Sequence, residues 1–370
     1  MQNLLFKISL IFAGMGYNMR RMIILSVIIF ETITSCKELY DPKIDIIETP
    51  LVIDGLITDQ ANPYSIKLTK ALPFNNNNVS EYATEYTGVS KAKVTVSDDC
   101  GHTYHFTEID TGGVYMSDPA EFIGVPGRSY MLSIKTIDNK EYRSAPQLLL
   151  PNNFNVKVSA EFGTRDQLVK DGSGAYNKET VQGTNIFFDI ENNEDTTIRF
   201  RFEQKIYKEY VEIPLGIVIC WGIVQQKDLI NITDSLTSNK NIEKHIVCFL
   251  PNIKPEVWVE KGIDYSRVVT ALIPKITQFR LNPEAYQFYK NCNTLLAASG
   301  KIFDPMAFQV NGNMKCISDN TVEVLGFFEA SSARISYYAL YNGSKIIHYR
   351  NGYAPYDSGC IGMPAPDWWF

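Results

Sequence analysis

Only four histidines occur in the 370 residues, and no arrangement that usually puts histidine to catalytic use is present. There is no Gly-x-Ser-x-Gly elbow, His-Glu-x-x-His helix, phosphate-binding loop or dinucleotide fingerprint. No cofactor is implied. The seven cysteines nowhere adopt the close Cys-x-x-Cys spacing of a zinc site, so no metal is expected. The one histidine cluster is Cys100-Gly-His102-Thr-Tyr-His105; on a strand leaving a hairpin, His102 and His105 point in opposite directions and cannot share an ion without a bulge. A glycosidase needs only two suitably spaced carboxylates, but nothing marks a pair among the 41 acidic residues. The expectation is a protein that is not an enzyme. Basic runs are missing as well, and the net charge is −6, which argues against a nucleic-acid partner.

What is present first is a leader. Arg20 and Arg21 precede an apolar run from Met22 to Phe30, which is too short for a bilayer requiring roughly 20 apolar residues. A basic start, a short apolar core and small residues before a cut site make a secretory signal over 1–35, with translation starting at Met19. Ile33-Thr34-Ser35-Cys36 resembles the bacterial lipobox, which makes Cys36 the lipidation site. Each buried methylene of an attached chain contributes about 0.8 kcal/mol. Lys37-Glu38-Leu39-Tyr40-Asp41 resembles the surface-export tag of Bacteroidota lipoproteins, although Leu39 stands where a second acid belongs. Residues 36–48 then read as a lipidated tether. Removing the leader leaves 32 basic against 40 acidic residues, a net of −8, and no span-length apolar segment.

Residues 49–151 read as short strands. Ile66 and Leu68 alternate with Ser65, Lys67 and Thr69; Ala92, Val94 and Val96 share a face; Tyr130, Leu132 and Ile134 alternate with Met131, Ser133 and Lys135. The turns DDCGH, DTGG and GVPGR suit a β-sandwich of immunoglobulin-like or transthyretin-like type. Residues 152–370 read as a larger β-rich domain, with strands in NVKVSAEF, TNIFFDIEN, TIRFRFEQK and EIPLGIVICW. Asp171-Gly172-Ser173-Gly174 lacks the later acids of a calcium loop and reads as a turn. One main helix is expected near 283–298. Asn282 suits its N-cap, Pro283 its first position and Glu284 its positive end. Its apolar face is expected to run through Ala285, Phe288, Cys292, Leu295 and Leu296. The fold class is thus mainly β.

After Cys36, six cysteines allow 15 connectivities. Cys220 and Cys248 lie in β-like apolar runs and form the preferred disulfide candidate, which would contribute about 3 to 4 kcal/mol in the chain-entropy model. Two triplets resemble the Bacteroidota O-glycosylation signal: Asp195-Thr196-Thr197 and Asp234-Ser235-Leu236, with Thr196 and Ser235 as acceptors.

From Pro283 the chain reads PEAYQFYK, then GKIFDPMAFQVNGN, then VEVLGFFEASS. Together with the Cys36 lipobox, LVIDGLIT, GRSYMLSI, Cys220-Trp221 and a cysteine ahead of PDWWF, this resembles a family of uncharacterised Bacteroidota outer-membrane lipoproteins encoded beside TonB-dependent receptors. The resemblance spans nearly all of the chain after Cys36 and is most specific from Phe303 to Ser332. It departs after Cys360, where Ile361-Gly362-Met363 stands in place of an expected second cysteine. It carries over no catalytic residue. What it implies is a non-enzymatic accessory or solute-binding partner of a TonB-dependent transporter barrel, lipid-anchored in the outer membrane and facing the cell exterior. The ligand would be a small solute, peptide or glycan. The rival expectation is a stand-alone surface glycan-binding or adhesion module.

Overall fold

A computed structural model describes residues 49–71, 87–109, 112–170, 176–193, 197–213, 218–224, 230–233, 241–252, 256–260, 263–297, 309–341 and 345–348. All lie in one unit, Thr49–Phe370. The described residues are mainly β with one helix. None of their helices is long and apolar enough to cross a membrane.

The first sheet begins with β1 (Leu51–Ile57), β2 (Ser65–Lys70) and β3 (Thr87–Gly88), followed by β4 (Lys93–Asp98), β5 (Thr103–Ile109) and β6 (Val114–Ser117). β7 (Ser129–Lys135), β8 (Glu141–Ser144) and β9 (Gln147–Leu148) follow. The period-two pattern sets their faces: Ile66, Leu68, Val94, Val96, Tyr130, Leu132 and Ile134 are all buried in one core. Ala92 packs on that core from its edge.

Residues 49–151 do not complete this sheet. Two strands return from far along the chain, β18 (Met314–Cys316) and β19 (Val324–Ala330), giving the order β18-β8-β7-β4-β5-β6-β2-β1-β19. β19 lies parallel to β1, from Leu51 opposite Val324 to Ile57 opposite Ala330. Phe328 and Ala330 on β19, with Met314 and Cys316 on β18, fill the same core as Leu51 and Ile53.

Asn313 ties the two ends of this order together. Its backbone carbonyl accepts a bond from Ala145 N–H beyond β8 at 2.8 Å. Its side chain donates to the Phe328 carbonyl at 2.7 Å and accepts from the Phe328 N–H at 2.9 Å. The sheet is therefore rolled, with its edges bridged by one amide. Glycine permits the approach: a Cβ on Gly312 would meet Gly326 O at 1.5 Å. Gly326 itself has φ +93°, and a Cβ there would meet Ile53 O at 1.9 Å.

The second half forms two further sheets. β10 (Val156–Lys170), β11 (Tyr176–Ile190) and β15 (Ile242–Pro251) make a three-stranded sheet. The other follows the order β13-β12-β17-β20-β21, from β13 (Val218–Val224), β12 (Phe200–Ile213), β17 (Ile263–Arg280), β20 (Ala333–Tyr341) and β21 (Lys345–His348). β14 (Asn231–Ile232) pairs with β12, and β16 (Glu256–Glu260) with β17. The strands exceed the expected runs: β10 and β11 pair without a register shift over all 15 residues of each. The two sheets contribute facing side chains to a second core, with Ile186, Phe188 and Val247 from one and Phe200, Phe202 and Ile276 from the other. Phe188 and Phe202 meet edge to face at 5.8 Å.

The helix α1 (Pro283–Ala297) starts where its cap signals place it, since Asn282 Oδ1 accepts the Ala285 N–H at 2.9 Å. Its inner face differs from the expected apolar stripe. Leu296 is 61% exposed, whereas Tyr286 is buried and Tyr289 packs against the same cluster. Tyrosines bury their rings here because each hydroxyl finds an acceptor.

Replacing Gly326 with Ala forces both a disfavoured φ and a backbone collision, and Asn313→Ala leaves the Phe328 N–H and C=O unpaired. Each change is expected to lower stability by about 2 kcal/mol or more, read as a fall in the urea midpoint. An unchanged midpoint in both would contradict the closure described here.

Candidate functional site

A cleft of about 1110 Å³ lies where β1 and β2 of the first sheet approach β12, β14, β15, β17 and β20. Asp54 and Lys67 are cross-strand neighbours on β1 and β2, and both point away from the first core because Ile53 and Ile66 point into it. They face the cleft from one side. Arg201 and Glu203 on β12 face it from the other, while Phe202 also contributes to the wall.

Beneath the cleft a charged group is held almost without solvent. Arg201 is 5% exposed and Glu329 1%. Arg201 Nη2 donates to Glu329 Oε2 at 3.1 Å, and Nη1 donates to Glu203. The Tyr289 hydroxyl donates to the same Glu329 oxygen. The guanidinium lies 4.2 Å from the centre of the Phe279 ring and 4.7 Å from that of Tyr289, so aromatic faces supply attraction where water is missing. Four elements meet in this group: β12, β17, β19 and α1.

The electrostatics follow from burial. Loss of water alone would lower the Arg201 pKa, but Glu329, Tyr289 and Glu203 more than offset this, and the guanidinium is held above its usual range. Burial first, and then the Glu329 charge, push the Tyr289 phenol well above its ordinary value, so it stays a hydrogen-bond donor. Burial lifts the Asp54 carboxyl above the normal range, against the opposing pull of Lys67 and Arg201. Solvent reaches Asp54 through the cleft mouth, yet protein surrounds it closely enough for desolvation to dominate.

The walls are braced by hydrogen bonds. Ala333 N–H donates to Asp59 Oδ1 at 2.8 Å, and Gln60 Nε2 donates to the Ala333 carbonyl at 2.8 Å, tying the end of β1 to the start of β20. Asn293 of α1 bonds both the N–H and the carbonyl of Ile230. The Tyr286 hydroxyl donates to the Thr233 carbonyl at 2.9 Å.

Of the residues singled out from sequence as sites, Cys248 lines this cleft. Cys36, Thr196 and Ser235 lie outside the described residues. Cys248 is buried on β15 of the three-stranded sheet. Its candidate partner Cys220 is on β13 of the other sheet, and its side chain lies outside the described residues. His102 turns to Asp98, with Nδ1 2.8 Å from Oδ2, while His105 stands opposite Thr95 on β4. Among the described residues no group of three or more metal-ligating side chains is found. Sequence reasoning missed Arg201, Glu329 and Asp54. Arg201 and Glu203 sit at alternate positions in TIRFRFEQK, which on period two places them on a solvent face.

A family model described as Domain of unknown function (DUF4249) matches residues 37–335, and the chain belongs to that family. Comparison with curated proteins and with solved structures gives no match.

Removing Arg201 alone leaves Glu329 buried without its counter-charge. Arg201→Met is expected to cost about 3–5 kcal/mol, whereas the double change Arg201→Met with Glu329→Leu recovers most of the loss. Chemical denaturation of the three proteins checks this. Additive losses would show that the two side chains are not coupled.

Proposed function

We propose that this member of the DUF4249 family is a non-enzymatic lipoprotein, anchored in the outer membrane through a lipid on Cys36 and facing the cell exterior. In this reading it is an accessory and solute-binding partner of a TonB-dependent transporter. The observation that carries the binding role is the cleft, whose volume of about 1110 Å³ exceeds what a drug-sized molecule fills. A solute of several linked units, a short peptide or an oligosaccharide, matches that space.

The distribution of polar groups favours binding over chemistry. Arg201 and Tyr289 both bind one oxygen of Glu329 and so fix the floor, while Arg201 Nε and Glu329 Oε1 are buried without a hydrogen-bond partner among the described residues. Asp54 and Lys67 are presented to the cleft with opposite charge on adjacent strands. A carboxylate kept where burial opposes its ionised form gains most from a ligand that supplies a donor or a positive charge. Lys67 beside it suits an acceptor on the same ligand. The lipid at Cys36 supports the partnership, because confinement to the membrane plane raises the effective concentration beside a barrel and lets a weak contact be well occupied.

Affinity purification of the tagged protein from mild detergent is expected to recover a large outer-membrane barrel protein. The charge reversals Asp54→Lys and Lys67→Glu should abolish solute retention while leaving barrel capture intact. Repeated recovery of the protein alone would contradict the transporter partnership, and solute retained by that isolated protein would favour a stand-alone binding module.

A further inference from the structure

The outward face of the first sheet carries a second feature, separate from the cleft and independent of its reading. Across neighbouring strands, the registers place Lys93 opposite Lys135 and Arg143 opposite Lys315. All four are exposed. Their strand neighbours Val94, Ile134, Tyr142 and Met314 point into the core, so the four cations share one face. Like charges directly opposite each other destabilise a sheet. Two such pairs on adjoining strands β18-β8-β7-β4 are a local cost, in a chain whose net charge is −6.

One carboxylate moderates the repulsion. Lys135 Nζ lies 2.9 Å from Glu141 Oε1, an exposed pair. Among the described residues, Lys93, Arg143 and Lys315 make no ion pair. Three of the four cations, Lys93, Lys135 and Arg143, line a concavity of about 200 Å³ together with Thr95, Ser133, Glu141 and the apolar Ile317, and Lys315 stands next to it opposite Arg143. Thr95 Oγ1 donates to the Ser133 carbonyl at 3.4 Å, which leaves the Ser133 hydroxyl as the neutral donor within the hollow.

We propose that this concavity is an oxyanion site for a phosphate-ester group, held chiefly by Lys93 and Arg143, with Lys315 at its rim and the Ser133 hydroxyl as a further donor. The chemistry fits the donor set. A guanidinium offers two parallel N–H donors to a tetrahedral oxyanion, and an ammonium adds a compact charge. An anion in the hollow also gives one cation of each opposed pair, Lys93 of the first and Arg143 of the second, a counter-charge, which accounts for a charge pattern that the sheet alone disfavours. The hollow admits a phosphate and its first attached group. A phosphorylated sugar and a phospholipid headgroup both present that chemistry.

The test is thermal unfolding and titration calorimetry of the purified protein, with inorganic phosphate compared against chloride at equal ionic strength. Phosphate is expected to raise the midpoint where chloride does not, as a ligand of the native state must. Lys93→Gln and Arg143→Gln should each weaken phosphate affinity by about tenfold or more. The same changes should raise the ligand-free midpoint, since each removes a like-charge pair; that rise also shows the variants are folded. Lys157→Gln, an exposed lysine on β10, should leave the phosphate response unchanged. Glucose 6-phosphate against glucose, and phosphatidylcholine vesicles with and without phosphatidic acid, then identify the carrier, and tighter binding in either arm supports the site. A phosphate response equal to that of chloride would overturn it. So would Lys93→Gln and Arg143→Gln proteins that bind phosphate like the parent.

Discussion

The structure depends on the parallel pairing of β1 with β19. That one contact joins Leu51–Ile57 to Val324–Ala330, segments separated by more than two thirds of the chain. Alternate residues of β19 then serve different parts of the fold. Phe328 and Ala330 complete the first core, while Phe327 packs into the cluster under α1. Glu329 reaches Arg201 on β12. The glycine approach at Gly312 and Gly326 and the Asn313 clamp hold β19 against the roll. Removing a strand that supplies two cores and a buried charge would undo more than its own hydrogen bonds.

From this follows the cleft. Because Ser331 and Ser332 carry the chain directly from β19 to β20, the first sheet and the seven-stranded sheet are joined by a short connection. That connection is braced where Asp59 and Gln60 grip Ala333. The sheets contribute opposing walls, and the Arg201–Glu329–Tyr289 group forms the floor between them. A buried ion pair is weak evidence of net stability, since the loss of hydration opposes its attraction. Its value here is geometric: four elements must be in place before the two opposite charges and the Tyr289 hydroxyl meet. The cleft walls are thereby held by contacts within the chain itself, and a solute of the kind proposed would bind at a lower ordering cost.

Local patterns in the sequence were legible, and distant pairings were not. Period two identified the buried faces of Ile66 and Leu68, of Val94 and Val96, and of Tyr130, Leu132 and Ile134, because each depends on neighbours two residues away. The Asn282 cap and Pro283 located the helix for the same reason. Nothing local announces that VLGFFEA will lie beside LVIDGLI, and a chain read as consecutive strands places the boundary of the first module near residue 151. The same blindness concealed the site. Arg201 follows the alternation of a half-buried strand and reads as a solvent-facing residue until α1 and β19 cover it. Leu296 errs in the opposite sense, since helical spacing assigns it to the core while the helix buries its tyrosine side.

The most direct measurement of this dependence is the behaviour of residues 49–151 expressed alone, observed by amide hydrogen exchange and proton NMR. Without β18 and β19 the segment lacks Phe328, Ala330 and the Asn313 clamp, and its β1 edge is uncovered. It is expected to show poor chemical-shift dispersion and little protection of the Leu51–Ile57 amides, while in the whole protein those amides exchange with the most protected part of the fold. A well-dispersed spectrum with β1 amides protected in the isolated segment would contradict the claim that the returning strand completes the module.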